Sequence, residues 1–286
     1  MRGSGRACLF VFAAIFGCVV SATDAASVWK VTSASGATIY LGGSVHALRG
    51  QDYPLPPQYN RALDASTVMA LEVDEKAVNE SSRSISKSGE YPPNDSLKNH
   101  VDPRTYAYLR KIFSLLGVSE EKFSRYRPWY LALMLESSGA QGRSLDLGVE
   151  RYLIRRAHSK HKAVIGLETA REHAQVFSGL TDRQGEAYLL LEFIPRSEGI
   201  TSAATMQAWR KGDADAVAGE FHDAFRDFPS LAERLLDVRN RNWIPKIEAY
   251  LQDGKPCFVV VGAAHLGGPN GLIALLKGRG YTVEQL

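Results

Sequence analysis

Apolar and polar positions along the chain follow two periods. Four short, nearly continuous apolar runs read as buried strands: Ala37–Gly43, Thr67–Leu71, Ala163–Leu167 and Cys257–Gly262. Runs of this length, bounded by turn residues, are what a strand covered on both faces requires. Ser27–Thr32 is also strand-like, and the turn-rich Ser33–Gly36 after it predicts a hairpin with the run that follows. Pro56-Pro57 opens a helix through about Asp64. Glu75–Asn99 is polar and Ser-rich, with Pro92-Pro93, and reads as a mobile excursion or lid outside the core. From Pro103 the period changes to that of a helix, with Tyr106, Leu109, Ile112, Phe113 and Leu116 in phase. Pro128 opens another apolar helix, and Ser144 is placed to cap one that carries Leu147, Tyr152, Leu153 and Ile154. Thr169 begins a further helix, and helical patterns continue to about Leu251 with breaks at Pro195, Gly212 and Pro229. Pro269-Asn270-Gly271 starts the last helix, Gly278 and Gly280 end it, and Tyr281–Leu286 is an edge strand. The prediction is an α/β fold. Its mostly parallel central sheet is built from the N- and C-terminal segments, with a largely helical insertion over about residues 100–250.

Composition narrows the class. With 286 residues, 45% hydrophobic and 23% charged, the chain is an ordinary globular protein able to bury a large core. Its net charge is +3, and no basic stripe with interleaved aromatics stands out, so no nucleic-acid partner is expected. Residues 1–25 read as a secretory signal. Arg2 and Arg6 form a basic start, Cys8–Val20 an apolar stretch too short for a membrane span, and cleavage after Ala22 or Ala25 fits the small residues there. An uncleaved anchor and lipidation at Cys18 are the alternatives. Residues 26–286 then form a single domain, secreted, periplasmic or otherwise in the cell envelope, with no stable membrane span. Cys257 would be the one cysteine left, at the start of a buried strand, and reads as a small core residue.

Each of the four apolar runs leads into a residue able to bind a metal or move a proton: His46, Glu72, Glu168 and His265. Two share the frame G-x-x-H, Gly43-Ser44-Val45-His46 and Gly262-Ala263-Ala264-His265. Parallel strands in one sheet would gather two imidazoles and two carboxylates at its carboxyl edge, where open α/β sheets bind ligands. Each residue also has a plain reading. Either histidine alone could be a hydrogen-bonded loop residue; Glu72 could be a rim carboxylate paired with a Lys or Arg; Glu168 could be a first-turn helix acid. Arg239 and Asn240 lie in VRNRNW, where an Arg could hold a carboxylate or oxyanion or simply face solvent. Trp243 reads as a core anchor, Asp146 and Glu150 as surface or capping acids, and His100, His158, His161, His173 and His222 as surface residues. P-loop, nucleophile-elbow and H-E-x-x-H signatures do not occur.

Taken together, YLGGSVHAL, DYPLPPQYNRALDASTVMALEVD, LDLGVE, VIGLET, AWRKGD, VRNRNW and VVVGAAHLGGPNGL resemble the TraB/GumN family over about residues 28–286. That family is related to the Tiki proteases, metal-dependent peptidases with paired G-x-x-H motifs and a Glu. The resemblance implies a metal-dependent, peptidase-like hydrolase acting on a peptide or small molecule. A divalent metal (Mn, Co or Zn) would be held by His46, Glu72 and His265. Glu168 would serve as general base or a further ligand, and Arg239 would hold an oxyanion or a substrate carboxylate. Ser44 stands where the family usually has Thr, which leaves the His frame intact. The alternative is a non-catalytic envelope protein that binds or sequesters a peptide or saccharide, in a pheromone- or exopolysaccharide-related setting.

Overall fold

The computed structural model describes residues 25–138, 143–193 and 202–286. Six strands form one sheet: β1 (Val28–Thr32), β2 (Thr38–Ser44), β3 (Val68–Leu71), β4 (Ala163–Gly166), β5 (Cys257–Gly262) and β6 (Thr282–Gln285), in the spatial order β4-β3-β5-β2-β1-β6. β4, β3, β5 and β2 are parallel neighbours. β1 runs antiparallel to both β2 and β6. The C-terminal β5 lies between β2 and β3, so the sheet is continuous only when the two ends of the chain have met. This is the mixed, mostly parallel α/β sheet that the apolar runs predicted.

The strands follow from the side chains they bury. β5 (CFVVVG) carries three consecutive valines and is buried through its first five residues, as suits a central parallel strand. One face of the sheet packs on Tyr59, Leu63 and Trp209, the other on Trp243, Ile244 and Ile247. A third apolar cluster holds helices Pro103–Leu115, Pro128–Ser138 and Asp182–Leu191 to one another around Phe113, Trp129 and Tyr188. Among the described residues no helix is long and apolar enough to cross a membrane.

Local signals explain most boundaries. The β1–β2 hairpin turns through Ser33–Gly36, where Gly36 takes a φ of +86°. Helix Ala203–Lys211 ends on Gly212 in the left-handed conformation. Two readings change. Glu75–Ser88, expected as an irregular excursion, is a helix capped by Asp74, whose carboxylate accepts the Ala77 N–H at 2.7 Å. Ser81 is its one fully buried residue, Ile85 packs one turn further on, and the helix lies on helix Ala170–Ser178; its narrow apolar face is obscured in the sequence by a polar, Ser-rich composition. Ser144 caps only the 3₁₀ turn Leu145–Leu147, and the helix that follows starts at Val149. The expected signal segment and the break at Pro195 lie outside the described residues.

Candidate functional site

Sheet register brings the four chemistry-bearing residues to one edge. Ser44 pairs with Gly262 across β2–β5, and Leu71 pairs with both Val260 of β5 and Gly166 of β4. Pairing continues past the strands, with Leu167 N–H donating to Leu71 O at 2.7 Å and Glu168 N–H to Glu72 O at 2.8 Å. All four chains therefore leave the sheet at its carboxyl edge. Gly42 of β2 makes room for the Phe258 ring of β5, since a Cβ there would lie 2.7 Å from that ring.

His265 ends a short turn after β5 and is 4% exposed. Its Nδ1 is 2.7 Å from Asn240 Oδ1. Asn240 Nδ2 donates to Asn270 O at 2.9 Å, which identifies the amide oxygen as the atom facing the ring. Nδ1 therefore carries the proton and Nε2 presents its lone pair. Burial pushes the imidazole down to about 3, so it stays neutral at physiological pH. Nε2 faces Glu72 Oε1 at 3.8 Å and an Arg239 terminal nitrogen at 3.3 Å.

Glu72 leaves β3 into the same space. Its Oε1 accepts the Gly262 N–H at 2.8 Å and its Oε2 accepts from Arg239 at 2.6 Å. Burial pushes this carboxyl upward, but Arg239, His265 and His46 override it and hold the group well below the usual carboxylate range. Arg239 also grips Glu168 in a two-pronged ion pair at 2.7 and 3.0 Å. Trp243 Nε1 donates to Glu168 Oε1 at 3.0 Å. The Trp243 ring floors the site, 4.8 Å from the Arg239 guanidinium and 4.5 Å from the His265 ring. Arg239 stands two residues after the π-helical turn Glu233–Asp237 and bonds back to Leu235 O. Such bulges recur at functional sites because they re-aim the next side chain.

His46 is placed differently. Its side chain is 65% exposed at the mouth of the site, with Nδ1 3.5 Å from Glu150 Oε2. Glu150 is the main influence raising its pKa, and solvent screens that effect at so open a position. Its charge acts on both Glu72 and His265.

The buried part of this cluster is thus Glu72, Glu168, Arg239 and His265, with His46 above it. Sequence reasoning treated Glu150 as a surface or capping acid, yet it stands against His46. His173, expected at the surface, is partly buried, with Nδ1 2.9 Å from Ser81 Oγ. Burial and the Arg239 charge lower its pKa. His100 is no plain surface residue either, being clasped between Asp95 and Asp182 at 2.7 and 2.8 Å. Apart from Asp95–His100, five residues apart, these contacts join segments distant in sequence, and nothing in the spacing of the residues signals them. Cys257 is fully buried, and burial pushes its thiol up to about 12, so it packs rather than reacts.

The donor chemistry suits a divalent cation in part. His265 offers a neutral, oriented Nε2, and Glu72 an oxygen facing the same space. Against this, Arg239 already contacts both, and among the described residues no group of three or more His, Cys, Asp or Glu converges as a ready metal site.

The chain is 26% identical over 244 residues to the uncharacterized protein YbaP of Escherichia coli (strain K12), spanning 83% of this chain and 87% of YbaP. YbaP of Shigella flexneri matches to the same extent. A metalloprotease TIKI homolog of Amphimedon queenslandica is 22% identical, with 94% of this chain and 63% of that protein covered. No solved structure matches the chain significantly. The family model described as TraB/PrgY/gumN matches residues 27–285, and the chain belongs to that family.

Proposed function

We propose that this protein is a metal-dependent, peptidase-like hydrolase acting outside the cytoplasm, in the periplasm or cell envelope. The observation that carries the reading is the meeting of Glu72 and the neutral Nε2 of His265, 3.8 Å apart, at the carboxyl edge of the sheet. The similarity to the metalloprotease TIKI homolog of Amphimedon queenslandica supports it. His265, Glu72 and His46 would hold a divalent ion of the Mn, Co or Zn type. Such an ion, when bound, supplies Lewis acidity and a lowered pKa for water.

The chain's own groups divide the remaining work. Asn240 keeps His265 in the tautomer that offers Nε2. Glu168, proposed from sequence as general base or ligand, has its carboxylate bound by Arg239 and Trp243. Its first role here is to hold Arg239 in place, with any proton transfer requiring release of that pair. Arg239 points its guanidinium at the space between Glu72 and His265, where it can stabilise an oxyanion or bind a substrate carboxylate.

One observation favours the second reading, a non-catalytic binder of a peptide or saccharide. Arg239 already bonds both carboxylates of the cluster, Glu72 and Glu168, and so satisfies them without a metal. Metal analysis of purified wild type against a His46→Ala, His265→Ala double variant separates the two. A peptide-library assay with Mn²⁺, Co²⁺ and Zn²⁺, before and after chelation, accompanies it. Metal that disappears in the double variant and chelator-sensitive hydrolysis are expected. Wild type without metal, indifferent to chelator in activity and stability, transfers the assignment to the binding protein.

A further inference from the structure

The segment 144–150 is bolted to the loop that carries His46. Leu48 and Ser144 exchange backbone hydrogen bonds at 3.3 and 2.9 Å. Val149 N–H donates to Val45 O at 3.1 Å, and the Tyr53 hydroxyl donates to Leu147 O at 2.7 Å. Gly148 lies so close to His46 that a Cβ would fall 2.1 Å from the His46 carbonyl oxygen. The fastening ends in one side chain, Glu150. Its Oε1 accepts the hydroxyl of Ser44, which is 3% exposed, at 2.8 Å, and its Oε2 faces His46 Nδ1 at 3.5 Å.

Ser44 and His46 belong to the same G-x-x-H turn, so one carboxylate spans the motif. A carboxylate braced on one oxygen can orient an imidazole with the other. We propose that Glu150 is the positioning residue of His46: anchored by Ser44, it holds Nδ1 and turns Nε2 of an otherwise open side chain towards Glu72 and His265. This rests on the reading that His46 belongs to the candidate site. It also gives the paired motifs different supports. A neutral amide, Asn240, orients the buried histidine, and a carboxylate orients the exposed one. A ring that is 65% exposed has little packing to fix its rotamer, so it depends on such a contact more than His265 does.

The test uses the mature chain with Glu150→Ala, Glu150→Gln and Ser44→Ala, and with Asp146→Ala as a control on the exposed side of the same turn. Two readouts are taken. ¹³C relaxation of the His46 Cε1–H group in metal-free protein reports how firmly the ring is held. Calorimetric titration with Co²⁺ reports the site it serves. Glu150→Ala should free the His46 ring and weaken Co²⁺ binding about 10–100-fold, the usual cost of losing an outer partner of a ligand histidine. Ser44→Ala should have a smaller effect in the same direction, and Asp146→Ala none. Glu150→Gln has the same shape, so it carries both readouts should the alanine variant not fold. A ring as ordered in the Glu150 variants as in wild type overturns the proposal, as does Co²⁺ affinity unchanged within about twofold. Wild type that binds no Co²⁺ removes the metal reading instead, and the relaxation arm still decides whether Glu150 holds His46.

Discussion

Arg239 is the residue on which the cluster balances. It is the partner of both Glu72 and Glu168, and all three side chains are at most 13% exposed. Removing one member of a buried ion pair leaves an uncompensated group and typically costs about 3–5 kcal/mol. Arg239→Ala should therefore lower unfolding stability by about that much in urea titration. Arg239→Lys should recover only part of it, because an ammonium cannot grip Glu168 with two prongs. The histidine below predicts the pH response. An unfolded imidazole takes up its proton near pH 6.5, whereas His265 resists until about 3. Between those values the unfolded chain binds more protons, so stability rises with pH and falls on acidification from about 6.5. Glu72 adds a loss of the same sign at lower pH, since its folded carboxyl is depressed below the unfolded value of about 4.3. Thermal melts from pH 7 to 4 should show a steady fall, with a shallower slope in His265→Gln. Equal slopes in the two proteins would remove His265 as the cause.

At the scale of elements, a close approach of two backbone segments sets the geometry around His46. Gly148 lets the 144–150 turn sit under the His46 loop, and backbone, not a flexible side chain, occupies the space a Cβ would need. Gly148→Ala should cost about 1–3 kcal/mol, as overpacking does. It should also loosen the His46 ring, while Gly219→Ala, inside helix Ala214–Ala224 with nothing near its Cβ, should leave that ring unchanged and raise stability by about 0.5–1 kcal/mol; melting temperature and ring relaxation check both. The elements themselves were largely legible. β2, β3, β4 and β5 appear as apolar runs, and each runs into the predicted chemical residue. Helix Glu75–Ser88 was missed although Ala77, Val78, Ser81 and Ile85 share one face, because its polar, Ser-rich composition reads first as loop. The support given to Glu150 was missed for a different reason. A side chain bonded to Ser44, 106 residues away, leaves no local signature.

For the whole molecule, the order β4-β3-β5-β2-β1-β6 makes the site a meeting of both ends of the chain. Glu72 and His265 are 193 positions apart and share a cluster because β5 inserts between β2 and β3. Truncation before β5 should therefore abolish both the sheet's continuity and the site; loss of cooperative melting in such a fragment would show it. Export belongs to this scale as well. A protein assigned to the envelope should begin near Thr23 or Ala26 when isolated from its native host. Mass analysis finding an intact Met1 on cytosolic material would contradict the assignment.

The sequence by itself determined the local terms of this fold. Its apolar runs specified the strands, its prolines and glycines most of the breaks, and its strand-following residues the candidates His46, Glu72, Glu168 and His265. These are legible because period, turn chemistry and strand-end position are short-range properties. Tertiary structure alone decided which candidates touch. It joined Glu168 to Arg239 and Trp243, set Asn240 behind His265 and Glu150 against His46, and left His46 open while burying its counterpart. Those facts depend on distances between side chains brought together by sheet register and helix docking. Two matching G-x-x-H frames therefore have unlike surroundings, with the burial of one imidazole and the exposure of the other set by what packs above each strand end.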